Sequence, residues 1–391
     1  MKKQAEELIT SARPRRSIEQ NNRNYLKENK PHVYKKILQS KDKINRGESI
    51  PIIQFQYNYL CNFTCEHCSI EPFQTTKKQR TEREGWNVDK VRDLSRQADE
   101  MGLFRFVITG GEPLIFRDID QLIKAIDPQK HYINIDTNGW FLDYERAKHL
   151  KNLGVDRIQL SIDSLDAESH DAFRQKKNSH ERCLRAIDAV HDAGLQLFVQ
   201  TVVTKSRVRS QELIDFIEYM NERNAAVFIT FAKQVGEWQG KKEILVDKDD
   251  MRYIDKLEKK YNLFTHISPS YDFNMRCIAT KGIISVTQFG DVLPCPYIHT
   301  SIGNVFKEPL KDVIQRGLDI KWFGEWKETC LIAEDKEFIS EFVDKKIDGK
   351  ELPVPCEEVF TYKDKTREEL RYHKNPRLHK EEDLFVNPTY V

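Results

Sequence analysis

The chain has 391 residues, 39% of them hydrophobic and 32% charged, enough for one large domain plus a smaller one around a sizeable core. Its formal net charge of +1 gives no global electrostatic case for binding nucleic acid or a membrane surface. The absence of any run of about 20 apolar residues argues against a membrane span.

The opening MKKQAEELITSARPRR has no apolar stretch after its basic residues, so no export signal is expected and the protein is expected in the cytoplasm. Residues 1–50 hold 13 Lys/Arg against 6 Asp/Glu and read as a basic, solvated helical extension without a strong apolar face. From residue 51 short apolar runs alternate with amphipathic stretches. Strands are expected at Ile52–Tyr57, Phe104–Thr109, Tyr132–Thr137, Arg157–Ile162, Leu195–Val203 and Val227–Phe231. Helical periodicity fills the intervals near 87–101, 117–126, 142–153, 180–193 and 209–223, as in Val91, Leu94, Ala98 and Met101. Six strands alternating with helices imply parallel βαβ units, closed into a barrel or left as an open sheet, with ligands at the carboxyl ends of the strands. After about residue 240 the alternation stops. One helix is expected at 247–262, short strands with turns at Gly282 and Gly290 follow, and 305–345 reads as largely helical. The charged stretch 361–391 reads as an extended wrap or a loose end.

The eight cysteines are Cys61, Cys65, Cys68, Cys183, Cys277, Cys295, Cys330 and Cys356. In a long cytosolic chain, clustered cysteines bind metal or do chemistry more often than they form disulfides. Cys61, Cys65 and Cys68 form a C-x3-C-x2-C segment directly after the first strand. Three thiolates so spaced can wrap one face of an iron–sulfur cubane and leave one iron open. A zinc knuckle would need a fourth close ligand, and His67, between two of the cysteines, is poorly placed to reach the same ion.

Thr109-Gly110-Gly111-Glu112-Pro113 follows the second strand. Together with the cysteine segment it resembles the radical S-adenosylmethionine (SAM) superfamily over about residues 50–235. The resemblance implies a partial (β/α)6 TIM-type barrel of the α/β class with a [4Fe-4S] cluster on Cys61, Cys65 and Cys68. It implies SAM held by Gly110, Gly111, Glu112 and Pro113, with Glu112 offering negative charge to the methionine ammonium. Thr137 and Asn138 after strand three, and Ser161 and Asp163 after strand four, resemble segments lining the SAM pocket, the latter pair near the ribose. Arg174 resembles an arginine that pairs with the SAM carboxylate. The implied chemistry is reductive cleavage of SAM to methionine and a 5′-deoxyadenosyl radical, which takes a hydrogen atom from substrate. A flavodoxin- or ferredoxin-type donor would supply the electron.

Cys277 and Cys295 stand in a C-x12-G-x4-C pattern around Gly290 that is similar to the start of a SPASM or twitch auxiliary-cluster domain. With Cys330 and Cys356 it implies one auxiliary [4Fe-4S] cluster in a C-terminal α+β domain, although those two cysteines lie further apart than is usual. Cys183, on a helical stretch, reads as core. The expected division is 1–50 extension, 51–240 radical SAM core, 241–360 auxiliary domain and 361–391 tail. The 50 residues before the barrel are too few for the usual peptide-recognition domain of peptide-modifying relatives. A small polar, sugar-like substrate is therefore expected, dehydrogenated or epimerised, with a precursor peptide as the alternative and a non-catalytic electron-transfer protein as a more distant one.

Overall fold

The computed structural model describes residues 14–73, 83–267 and 275–378. Six parallel strands lie side by side in chain order: β1 (Ile52–Asn58), β2 (Arg105–Gly110), β3 (Tyr132–Thr137), β4 (Arg157–Ser161), β5 (Gln196–Val203) and β6 (Ala226–Phe231). The apolar runs put them within a residue or two of the expected places. Between them run helices whose apolar stripe faces the sheet. Val88–Glu100, for example, is capped by Asn87, which accepts from the Lys90 amide, and it buries Val91, Leu94 and Ala98. The result is the α/β partial barrel.

Three further strands extend this sheet at both edges. β7 (Leu263–Thr265) pairs in parallel with β6, and β8 (Ile283–Val286) pairs in parallel with β1. β9 (Val292–Leu293) lies antiparallel to β8 and completes the order β7-β6-β5-β4-β3-β2-β1-β8-β9. The β8–β9 connection turns at Gly290, whose φ of 79° suits glycine. A Cβ there would stand 2.8 Å from the Phe306 ring. Residues beyond 240 thus share the sheet with the barrel.

The N-terminal segment differs from the solvated extension expected. Helices α1 (Pro14–Asn29) and α2 (Pro31–Asn45) send Leu26, Val33 and Ile44 into the same core as the barrel strands. Lys30, Lys36 and Ser40 fall on that buried stripe, and their polarity hid it. Each is satisfied where it lands. Lys36 Nζ donates to the carbonyls of Leu103 (3.0 Å) and Lys130 (2.8 Å), and Ser40 Oγ donates to the Lys36 carbonyl.

The described part of the tail wraps back over this region. The buried Tyr372 hydroxyl donates to the Glu48 carbonyl at 2.7 Å, and Arg371 pairs with Asp319. The remainder of the expected tail, 379–391, lies outside the described residues. Among the described residues no helix is long and apolar enough to cross a membrane.

Candidate active site

One cavity opens at the carboxyl ends of the barrel strands. Cys61, Cys65 and Cys68 line it together with Gly110, Gly111, Glu112, Thr137, Asn138, Ser161 and Arg174. The cysteine loop is fastened by backbone bonds. Gly111 N donates to Asn58 O and Glu112 N to Leu60 O, both at 2.8 Å. The two glycines make this approach possible. A Cβ on Gly111 would stand 1.7 Å from Leu60 O, and one on Gly110 2.3 Å from Asn58 O. On the other side Glu237 N donates to Glu66 O at 2.9 Å. His67 is stacked on Phe173 with ring centres 4.5 Å apart.

The donors around these sulfurs suit thiolates. Phe63 N donates to Cys61 Sγ at 3.4 Å, and Arg174 Nη1 stands 4.0 Å from Cys65 Sγ. With the protein alone, burial pushes the Cys61 thiol up to about 12 and raises Cys65 and Cys68 as well. Among the described residues no three His, Cys, Asp or Glu groups gather tightly enough for a single metal ion. Three thiolates on one loop can each meet a different iron of a polynuclear group.

Glu112 lines the cavity and is also tied to its neighbours. It is only 2% exposed, and its carboxylate already accepts three hydrogen bonds. Oε1 takes Leu114 N (2.9 Å) and Thr137 Oγ1 (2.6 Å), and Oε2 takes Asn138 N (2.8 Å). Burial raises the group to about 6 against these bonds. Glu112 thus ties the segment after β2 to the turn after β3, and Pro113 is buried at the start of the short helical turn that follows.

Asp163 is not among the residues lining this cavity. Its Oδ2 accepts Arg174 Nε at 2.6 Å and its Oδ1 accepts Val202 N at 2.9 Å. Burial raises its carboxyl, but the Arg174 guanidinium wins and holds it at about 2. Ser161 lines the cavity, whereas Asp163 is spent on orienting Arg174. Cys183 is fully buried beneath the turn, its Sγ 3.1 Å from Asn138 O, which is the core position expected.

A second cavity fills the barrel interior and shares Gln54, Asp136, Gln200, Thr230 and Tyr297 with the first. Its walls are mainly apolar, with Val107, Phe198, Phe228 and Phe264 among them, but polar side chains also face inward: Asn134 and Asp136 on β3, Arg157 and Gln159 on β4. Burial raises Asp136 to about 7 despite Arg105, Arg157 and a 2.5 Å bond from Asn134. Three adjacent strands each leave a buried polar atom without a partner among the described residues: Gln54 Oε1, Arg105 Nε and Asn134 Oδ1. Lys233 and Tyr297 also face the first cavity. Tyr57 instead donates to Asp118.

Cys277, Cys295 and Cys330 form a second set. The thiol of Cys330 is raised to about 12 by burial, with the nearby Lys233 opposing and Cys277 and Cys295 adding to the rise. The β8–β9 hairpin brings Cys277 and Cys295 together, as the glycine spacing predicts, and Thr280 N donates to Pro294 O at 2.8 Å beside them. Cys356 is not brought to this set. It opens the helical turn Cys356–Val359 after β11 (Val354–Pro355), a strand paired with β10 (Thr300–Ser301). There burial raises its thiol, and its charged neighbours are Glu357 and Arg316. The strand pairing directs it into the core.

Residues 56–219 match the family model described as the Radical SAM superfamily. The chain is 28% identical over 316 residues to a GTP 3′,8-cyclase of Campylobacter curvus, covering 74% of this chain and 92% of that protein. It is 24% identical over 306 residues to an AdoMet-dependent heme synthase of Nitratidesulfovibrio vulgaris, covering 71% and 82%. Among solved structures, Streptococcus suis SuiB bound to its precursor peptide SuiA shares the fold with a TM-score of 0.54 at 20% identity, over 71% of this chain and 67% of that one.

Proposed function

The chain belongs to the radical SAM superfamily, and from that premise we propose that it dehydrogenates or epimerises a small polar molecule at a carbon bearing oxygen or nitrogen. The family implies a [4Fe-4S] cluster and SAM. In this reading Cys61, Cys65 and Cys68 hold the cluster, and Cys277, Cys295 and Cys330 hold an auxiliary one. Gly110, Gly111, Glu112, Thr137, Asn138, Ser161 and Arg174 line the SAM pocket. Bound there, cluster and SAM supply a 5′-deoxyadenosyl radical that abstracts hydrogen from substrate.

The observation that carries the substrate class is the set of unpaired Gln54, Arg105 and Asn134 atoms inside the barrel. Unpaired buried polar atoms are costly, and a hydroxylated ligand, which can both donate to the two amide oxygens and accept from Arg105, would satisfy them. The cavity shared through Asp136, Thr230 and Tyr297 puts such a ligand next to the SAM pocket. Trp238 and Phe231 wall the pocket against water. The named activity of the GTP 3′,8-cyclase relative is also on a small polar molecule. The fold shared with peptide-bound SuiB favours a precursor peptide as the second reading.

The test is deuterium transfer. With reductant and SAM, the reconstituted enzyme is expected to move deuterium from one of a panel of labelled sugars, aminocyclitols or nucleotides into 5′-deoxyadenosine. Modification of a co-expressed peptide, with no transfer from any of that panel, would overturn the small-molecule reading.

Glu112→Gln tests the tie beneath the SAM pocket. A glutamine has one acceptor oxygen, so it cannot serve donors on both sides, and its amide would oppose an N–H. The variant is expected to lose about 1–3 kcal/mol of stability and to bind SAM more weakly. Denaturation and equilibrium dialysis read the two effects, and wild-type values in both would refute this role.

A further inference from the structure

His266 follows the carboxyl end of β7, and its Nε2 stands 3.3 Å from Cys330 Sγ. We infer that His266 is the fourth protein ligand of the auxiliary cluster, giving a three-cysteine, one-histidine set in place of four cysteines. The inference rests on the proposal above that Cys277, Cys295 and Cys330 hold that cluster.

Three thiolates on a cubane leave one iron to be filled. Cys356, the fourth cysteine expected from sequence, stands instead among Glu357, Arg316 and the core. Among the described residues, the two charged groups beside Cys330, Lys233 and Glu334, are already engaged. Lys233 Nζ donates to Phe231 O at 2.7 Å and lies 4.1 Å above the Tyr297 ring, and an ammonium has no lone pair to give a metal. The Glu334 carboxylate accepts Cys330 N at 2.8 Å. Imidazole suits iron, and histidine replaces cysteine as a cluster ligand in other proteins.

His266 is also held in place. Thr265, just before it, is in register with Ile229 of β6, so the ring is carried by the sheet rather than by a free loop. Phe231 packs against it with ring centres 5.5 Å apart. His266 lines the barrel cavity, between the thiols and the proposed substrate space. Filling the fourth iron from this position closes it to substrate. The auxiliary cluster would then exchange electrons with the substrate without binding it, and a neutral ligand in place of a thiolate raises its reduction potential.

Pulsed EPR tests this on the full chain carrying Cys61, Cys65 and Cys68 as alanine, in which the auxiliary cluster is the one left to observe. The reduced cluster is expected to show a directly bound nitrogen that changes isotope signature when the protein is grown on 15N-histidine. His266→Cys is expected to keep about four irons per chain, lose the nitrogen coupling and shift the potential downward. Cys356→Ala is expected to leave iron content and spectrum unchanged. Iron present without a histidine nitrogen, or iron lost in Cys356→Ala but kept with an unaltered spectrum in His266→Ala, would overturn the histidine ligand alone. No iron at all in the parent chain would overturn it together with the auxiliary-cluster reading.

Discussion

Replacing Cys61, Cys65 and Cys68 together with alanine is expected to bring 5′-deoxyadenosine formation below detection while leaving about four irons per chain. The two cysteine sets have different supports. The first sits on the loop after β1, clamped through Asn58, Leu60 and Glu66 backbone groups to the segments bearing Gly111, Glu112 and Glu237. None of those bonds uses a cysteine side chain, so the loop and barrel should survive the substitutions. The second set sits on the β8–β9 hairpin and the loop at Cys330, where Glu334 holds the Cys330 amide. Iron analysis and a SAM-cleavage assay on the same anaerobic preparation check both halves. Wild-type cleavage would refute the assignment of the first cluster. A folded variant without iron would show that the two sets do not act separately.

What could be read from the sequence depended on whether local pattern and tertiary role agreed. The six barrel strands are apolar runs bounded by helical periodicity, and both signals come from burial, so their ends fell almost where expected. The glycines after β2 were legible as a close backbone approach, although what approaches is the Leu60 carbonyl of the cysteine loop. Glu112 and Asp163 were legible as site residues but not in their partners. Whether a carboxylate faces a ligand or a neighbouring amide is decided by the register of adjacent strands, and a motif does not encode that register. Cys356 has the right residue type for a cluster ligand, yet β11 pairs with β10 and carries it elsewhere. His266 gave no signal at all, being one histidine after a three-residue strand. The helices α1 and α2 were misjudged for a plainer reason: lysines occupied positions on their buried stripe.

The most telling of those lysines is Lys30, and Asp156→Ala is expected to destabilise the protein by about 3–5 kcal/mol. The two side chains are 4% and 2% exposed and meet at 2.6 Å. Asp156 Oδ2 also accepts Ile133 N at 2.8 Å, and Lys30 Nζ donates to Gly154 O at 2.9 Å. The pair therefore fastens the N-terminal helices to the amino ends of β3 and β4. Burial lowers the Lys30 ammonium and raises the Asp156 carboxyl, each opposed by the charge of the other. Removing the carboxylate leaves the ammonium buried with only carbonyl partners, and that desolvation is the main cost. Lys30→Met with Asp156→Asn should lose much less, because the apolar chain keeps its packing and the asparagine oxygen still accepts Ile133 N. The cost should also depend on pH. Without Asp156, Lys30 holds its proton less tightly in the folded than in the unfolded chain, so stability rises with pH until the unfolded lysine titrates near 10. The deficit of Asp156→Ala, measured by urea denaturation, should shrink between about pH 7 and pH 10. A deficit below about 1 kcal/mol, or one that does not change with pH, would mean that this pair behaves as a surface ion pair and that the N-terminal helices are held by their apolar contacts alone.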